Sequence, residues 1–122
     1  MFSTILTIRK RDDISRDDFI DYYENKHAPL VGRLLPNTLL SYRRNYLLDD
    51  DPLSVELAQG RGDDTTLPNI AVITEARFAS RSDAEELVSA ILSQEIFKQI
   101  QADEDNFIAR GGVRWRVVDA RE

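Results

Sequence analysis

The chain has 122 residues, sixteen basic against twenty-two acidic, for a formal charge of −6, with 42% apolar residues, one histidine and no cysteine. That length suits one domain around one core. The absence of cysteine excludes disulfides, thiolate metal sites and a cysteine nucleophile. The net negative charge, with no basic stripe carrying interleaved aromatics, argues against nucleic acid as a partner.

No apolar run approaches the roughly 20 residues of a membrane-spanning helix, so no membrane partner is expected. The start, Met1 to Leu6, lacks the basic region and long apolar stretch of a secretory signal, which points to the cytoplasm. With a single histidine, a zinc or iron site would rest almost wholly on carboxylates, and neither a metal nor a cofactor is expected.

Phe2 to Arg9 is rich in β-branched and aromatic residues and predicts a first strand, ending in the charged turn Lys10 to Asp13. Ser15 with Asp18 forms a capping box, and Ile14 can staple onto Phe19, so a helix begins there. Phe19, Tyr22, Tyr23, His27 and Leu30 recur at spacings of three and four and share one face. Pro29 lacks an N–H and crowds the Asn25 carbonyl; the helix should end or kink near His27 and Ala28, with a further turn through Leu34.

Pro36-Asn37 marks a turn, and Leu39 to Leu48 a second strand. Asp49 to Asn69 carries three aspartates in a row, a Gly-Arg-Gly-Asp-Asp stretch and two prolines, and predicts a long surface loop with room for a short helical turn at Leu53 to Ala58. A loop of that length is an insertion or a lid. Its Asp49-Asp50-Asp51 run could attract a hard cation, although such runs are mostly solvated surface. Ile70 to Phe78 is the clearest strand. Ser82 with Glu85 offers a second capping box, opening a helix whose apolar positions are Leu87, Val88, Ile91 and Leu92. Its continuation carries Ile96, Phe97, Ile100 and Phe107 up to a stop at Gly111-Gly112, before a last strand from Val113 to Asp119.

The resulting order, β-α-β-β-α-β, predicts an α+β ferredoxin-like domain: a four-stranded antiparallel sheet with both helices on one face. The other face would stay open. On strand three Ala71, Ile73, Glu75 and Arg77 point to it, while Ile70, Val72, Thr74, Ala76 and Phe78 point to the helices. A mixed apolar and polar open face is most simply covered by the same face of a second copy, which predicts a homodimer.

His27 is the one side chain whose ordinary pKa lies near neutrality, and it suits acid or base work; the plain alternative is a ring packed on the helix and bonded to a backbone carbonyl. Tyr22 and Tyr23 could donate phenolic protons, though aromatics at helical spacing usually form core. Asn45 and Tyr46 fall on opposite strand faces, so at most one lines a given cavity. Glu75 and Arg77 share a face, either as an ion pair or as a carboxylate base and a cationic anchor for a carboxylate or enolate. Asn106 and its acidic neighbours more often cap a helix end than touch a ligand.

The segment Tyr22-Tyr23-Glu24, then His27-Ala28-Pro29-Leu30, placed after a first strand and a capped Ser-Arg-Asp-Asp-Phe start, resembles the EthD family of dimeric α/β-barrel proteins. Tyr42 to Tyr46 on strand two, Thr74 to Phe78 on strand three and Asp103-Glu104-Asp105-Asn106-Phe107 near the end of the second helix extend the likeness across almost the whole chain. Where many relatives carry tryptophan between the glutamate and the phenylalanine, this chain has Arg77, which suggests a polar or anionic ligand.

The resemblance implies a ferredoxin-like fold, a dimer whose sheets form a barrel, and cofactor-independent chemistry. The reaction it implies is a lyase, cyclase or isomerase type driven by proton transfer on a small aromatic, polyketide-like or apolar oxygenated molecule. His27, Tyr23, Glu75 and Arg77 would carry it, with Tyr22, Asn45, Tyr46 and Asn106 around the substrate. A non-catalytic ligand-binding or accessory dimer serving an oxygenase pathway is the second reading; a haem-binding barrel with His27 as proximal ligand is a third.

Overall fold

A computed structural model describes residues 1–64 and 69–122. The first strand, β1 (Phe2–Lys10), leads into α1 (Arg16–Tyr22), whose first turn is closed by Ser15 Oγ accepting from the Asp18 N–H at 3.1 Å. The helix does not end at Pro29. Between α1 and α2 (Ala28–Leu34) lies one π-helical turn, Tyr23–His27, in which the Ala28 N–H reaches back to the Tyr23 carbonyl. Pro29 has no N–H for the Asn25 carbonyl, and the wider turn absorbs the mismatch by inserting one residue into the ladder. As a result Tyr23 and His27 both turn inward, at 0% and 5% exposure.

β2 (Leu39–Tyr46) ends two residues earlier than the sequence suggests, and β3 (Val72–Phe78) starts two later. The segment between them holds a true helix, α3 (Pro52–Arg61), longer than the short turn expected. Asp51 caps it by accepting from the Leu53 N–H, Pro52 sits at its first position, and Gly62 closes it at φ 65°. Residues 65–68 of the expected loop lie outside the described residues.

Ser80, not Ser82, caps α4 (Arg81–Ile91), accepting from the Asp83 N–H at 3.2 Å, while Glu85 pairs with Arg81 one turn back. The second helical stretch is broken at Ser93, giving a separate α5 (Gln94–Glu104). Phe107 therefore lies beyond the helix. β4 (Ile108–Val117) runs through Gly111 and Gly112 rather than starting after them. These glycines are a strand irregularity: the β1–β4 register shifts between Ile8 and Lys10, Gly111 adopts φ 66°, and a Cβ on Gly112 would meet the Ala109 carbonyl oxygen at 2.6 Å.

The strands form one antiparallel sheet in the order β2-β3-β1-β4. On the helix side Ile8, Val72, Phe19, Tyr23, Phe107 and Ile108 make one buried cluster, and Ala76, Phe78, Ala84 and Leu87 a second. The alternation on β3 is the expected one: Val72, Thr74, Ala76 and Phe78 are buried, Ile73 and Glu75 half-buried, and Arg77 exposed. Register places Arg43, Glu75, Ile5 and Arg116 side by side across the face away from the helices, with Asn45, Ile73, Thr7 and Arg114 in the next row.

Candidate functional site

The π turn points His27 at α5. Its Nδ1 lies 2.8 Å from Asp103 Oδ2, and the other carboxylate oxygen accepts from the Tyr22 hydroxyl at 2.7 Å. Asn106 Nδ2 donates in turn to the Tyr22 hydroxyl at 2.9 Å. The chain Asn106–Tyr22–Asp103–His27 thus assigns Nδ1 as the protonated nitrogen, because Asp103 accepts from both sides. Rings fix the imidazole as well: Phe107 and Tyr23 stand 5.0 and 5.4 Å away, centroid to centroid. Burial pulls the His27 pKa below 6.5, more strongly than Asp103 raises it. The imidazole is therefore neutral at pH 7, with Nε2 as a free base.

His27 lines a cavity of about 420 Å³ between the sheet and the helices. Leu6, Ala76, Val113 and Trp115 form its sheet side, Val31 and Leu35 one flank, and Leu87, Ile91 and Ile100 the other. Leu92 and Phe97, both largely exposed, rim it where α4 meets α5. Tyr42 lines it too. Its hydroxyl meets the Tyr23 hydroxyl at 2.9 Å, which meets Thr74 Oγ1 at 3.0 Å. Burial pushes the pKa of both phenols up, so neither ionises near neutrality. The indole Nε1 of Trp115 is buried with no hydrogen-bond partner among the described residues.

Glu104 completes the wall. Burial, then the neighbouring Asp103 and Asp105, raise its pKa from 4.5 to about 7. Position adds to this, since the C-terminal turn of a helix disfavours a carboxylate. In the unfolded chain Glu104 releases its proton near pH 4.5; in the fold it holds it to about pH 7. The folded state binds more protons in that window, so stability falls as pH rises through it, by on the order of 3 kcal/mol. His27, whose pKa is lowered, works the other way below pH 6.5. Denaturant titrations of the wild type and Glu104→Gln between pH 4.5 and 7 isolate the effect: the wild type should lose stability relative to the variant.

Not all the expected site residues meet here. Tyr23 is core and reaches the cavity only through Tyr42. Tyr22 and Asn106 act on His27 through Asp103, rather than lining the cavity. Tyr46 donates to Glu24, which also holds Arg44 through two bonds of 2.7 and 2.8 Å. Asn45 spends its side-chain N–H on the Ile73 carbonyl. Glu75 and Arg77 do not join His27, because odd-numbered β3 positions face away from the helices and the sheet stands between them.

Asp103 behind the imidazole, and Glu104, Tyr42 and Trp115 in the cavity wall, stand with His27 where Glu75 and Arg77 do not. A signal for the first two was present: a run of acidic residues at a helix C-terminus, where the dipole disfavours them. Among the described residues no group of three or more histidines and carboxylates is placed to hold a metal, and no helix is long and apolar enough to cross a membrane. Asp51 of the aspartate run serves as the α3 cap.

Comparison with solved structures supports the same architecture. An EthD family protein from Bacillus halodurans superposes with a TM-score of 0.58 at 13% identity, over 99% of this chain and 100% of that one. A hydroxynitrile lyase from Passiflora edulis gives 0.51 at 14%, over 99% and 95%. A dimeric protein of unknown function with a ferredoxin-like fold, from Bacteroides fragilis, gives 0.51 at 8%, also over 99% and 95%. No curated protein matches the sequence. The EthD domain model matches residues 11–111, which include the His27 turn, β2, β3 and the acidic end of α5, and the chain belongs to the EthD family.

Proposed function

We propose that the protein is a cofactor-independent enzyme that moves protons on a small aromatic, polyketide-like or apolar oxygenated molecule, in a lyase, cyclase or isomerase type of reaction. The observation that carries this reading is the His27–Asp103 pair, 2.8 Å apart, made through Nδ1 by a histidine that lines an apolar cavity. A carboxylate behind an imidazole fixes the tautomer and stabilises the imidazolium that forms when Nε2 takes a proton. Protonated Glu104 and the Tyr42 hydroxyl are the groups that can donate to the oxygen on which charge develops. The hydroxynitrile lyase among the structural relatives supports the capacity of this fold for lyase chemistry.

Glu75 and Arg77 belong in this account to the open face, where a second copy would pack to give a cytoplasmic homodimer; the dimeric Bacteroides fragilis relative supports that assembly. The test is turnover of a panel of β-keto and polyketide-like substrates by the wild type and His27→Ala. The variant should keep its circular dichroism and lose about 10²–10⁴-fold in kcat. Unchanged turnover in a folded variant removes His27 from the mechanism.

One observation favours a binding role without catalysis: among the described residues no lysine or arginine lines the cavity to stabilise an enolate. An accessory dimer serving an oxygenase pathway would take up an apolar ligand stoichiometrically and release it unchanged, which mass spectrometry of the extracted ligand distinguishes.

A further inference from the structure

The chemistry of the cavity wall narrows what it can hold. Its ionisable lining is His27, Tyr42 and Glu104, with Asp103 directly behind the imidazole. None of the described lysines or arginines lines the cavity, and two of the nearest arginines are paired elsewhere. Arg44 is held by Glu24, and Arg11 by Asp13 and the Asp105 carbonyl. Arg43, Arg77, Arg114 and Arg116 lie on the far face of the sheet. A ligand carboxylate buried here would meet two protein carboxyls and a neutral imidazole, and an unpaired buried charge is strongly disfavoured.

We infer that the cavity takes an uncharged aromatic ligand in preference to its carboxylate, with Glu104 protonated in the complex. This rests on the reading of the cavity as the functional site, and it reverses the polar or anionic preference that Arg77 suggests from sequence. The groups that face Glu104 are Asp103 and Asp105 on its own helix, His27 and Tyr23 from the π turn, and Arg11 and Arg110 across the adjoining cleft. Among the described residues no side chain donates a hydrogen bond to its carboxyl. A neutral ligand displaces water from that carboxyl and favours its protonated form further. Against a carboxylate the wall sets neutral donors, the Glu104 carboxyl and the Tyr42 hydroxyl, and His27 would pair with it only by protonating, against the burial that keeps the ring neutral.

Trp115, the one tryptophan of the chain, stands in the cavity wall and reports on occupancy. The probes are methyl 2-naphthoate and 2-naphthoate, which share a ring system and differ in charge. Isothermal titration calorimetry at about pH 6 and about pH 8, with Trp115 emission recorded in parallel, reads both affinity and site. The ester should bind the wild type at least about tenfold more tightly than the carboxylate at either pH, roughly a 1.4 kcal/mol preference. Its affinity should fall severalfold at the higher pH in the wild type and stay level in Glu104→Gln.

Equal or tighter binding of the carboxylate, with Trp115 emission changed, overturns the inference and leaves the site standing. A pH dependence that persists in Glu104→Gln overturns the role of Glu104. Heat without any change at Trp115, or no binding of either probe, overturns both the inference and the cavity as the site. The ester-to-carboxylate comparison uses only the wild type and does not depend on the folding of a variant.

Discussion

Phe107→Ala is expected to lower stability by about 3–5 kcal/mol, the range for emptying a fully buried aromatic position. Phe107 is 0% exposed, and its ring lies 5.5 Å from Phe19, 4.9 Å from Tyr22, 5.6 Å from Tyr23 and 5.0 Å from His27. Each contact is also worth something beyond area, because aromatic pairs at these separations gain from their quadrupoles. For a domain of this size the loss corresponds to a fall in Tm on the order of 10–20 °C. Differential scanning calorimetry checks it. A shift of only a few degrees would mean that the surrounding rings collapse into the space. Phe107 sits in the turn between α5 and β4, where its carbonyl also accepts from the Arg11 N–H at 3.0 Å. The residue therefore ties the acidic end of α5, with Asp103, to the start of the sheet.

The second large effect is expected at Asp103. Asp103→Asn keeps the size of the side chain but places an N–H₂ group and a carbonyl where two acceptors stood. One of its two donors, Tyr22 or His27 Nδ1, then faces an amide N–H₂, unless the imidazole changes tautomer to present Nδ1 as an acceptor. That flip would put a proton on Nε2 and remove the base from the cavity. If the site is catalytic as proposed, kcat should fall by about 10²–10⁴-fold, comparable with loss of His27 itself, and the double variant should be little worse than either single one. Additive losses would show that the two residues act separately.

Local devices were legible in the sequence. The Ser15 cap, the disturbance from Pro29 and the alternation on β3 each follow from chemistry within a few residues, and the structure carries all three. Errors arose where two local signals competed. Ser80 and Ser82 both offer an oxygen ahead of a helix, and only backbone geometry selects Ser80. Gly111-Gly112 reads as a helix stop, yet a paired β-bulge asks for the same residues.

The site was legible by half. His27 stands out as the lone titratable ring on a helix face, but its partner is 76 residues away, and no spacing rule links them. Placing Glu75 and Arg77 with His27 fails for a reason already in the pattern. Residues on the open face of a sheet cannot share a cavity with residues on its covered face. Asp103 and Glu104 were visible as an acidic run, and what hid their role was that a helix end is an ordinary place for polar residues. Their sign is the exception, since a helix C-terminus welcomes cations.

In the proposed mechanism His27 offers Nε2 as a neutral base to the cavity, held so by Asp103. As the only histidine, it gives a single imidazole to observe, and a ¹⁵N NMR titration of the uniformly labelled protein tests the claim directly. The account predicts the Nδ1–H tautomer at neutral pH, with Nε2 unprotonated and an apparent pKa below 6.5. An Nε2–H tautomer, or a ring still protonated at pH 7, would contradict it.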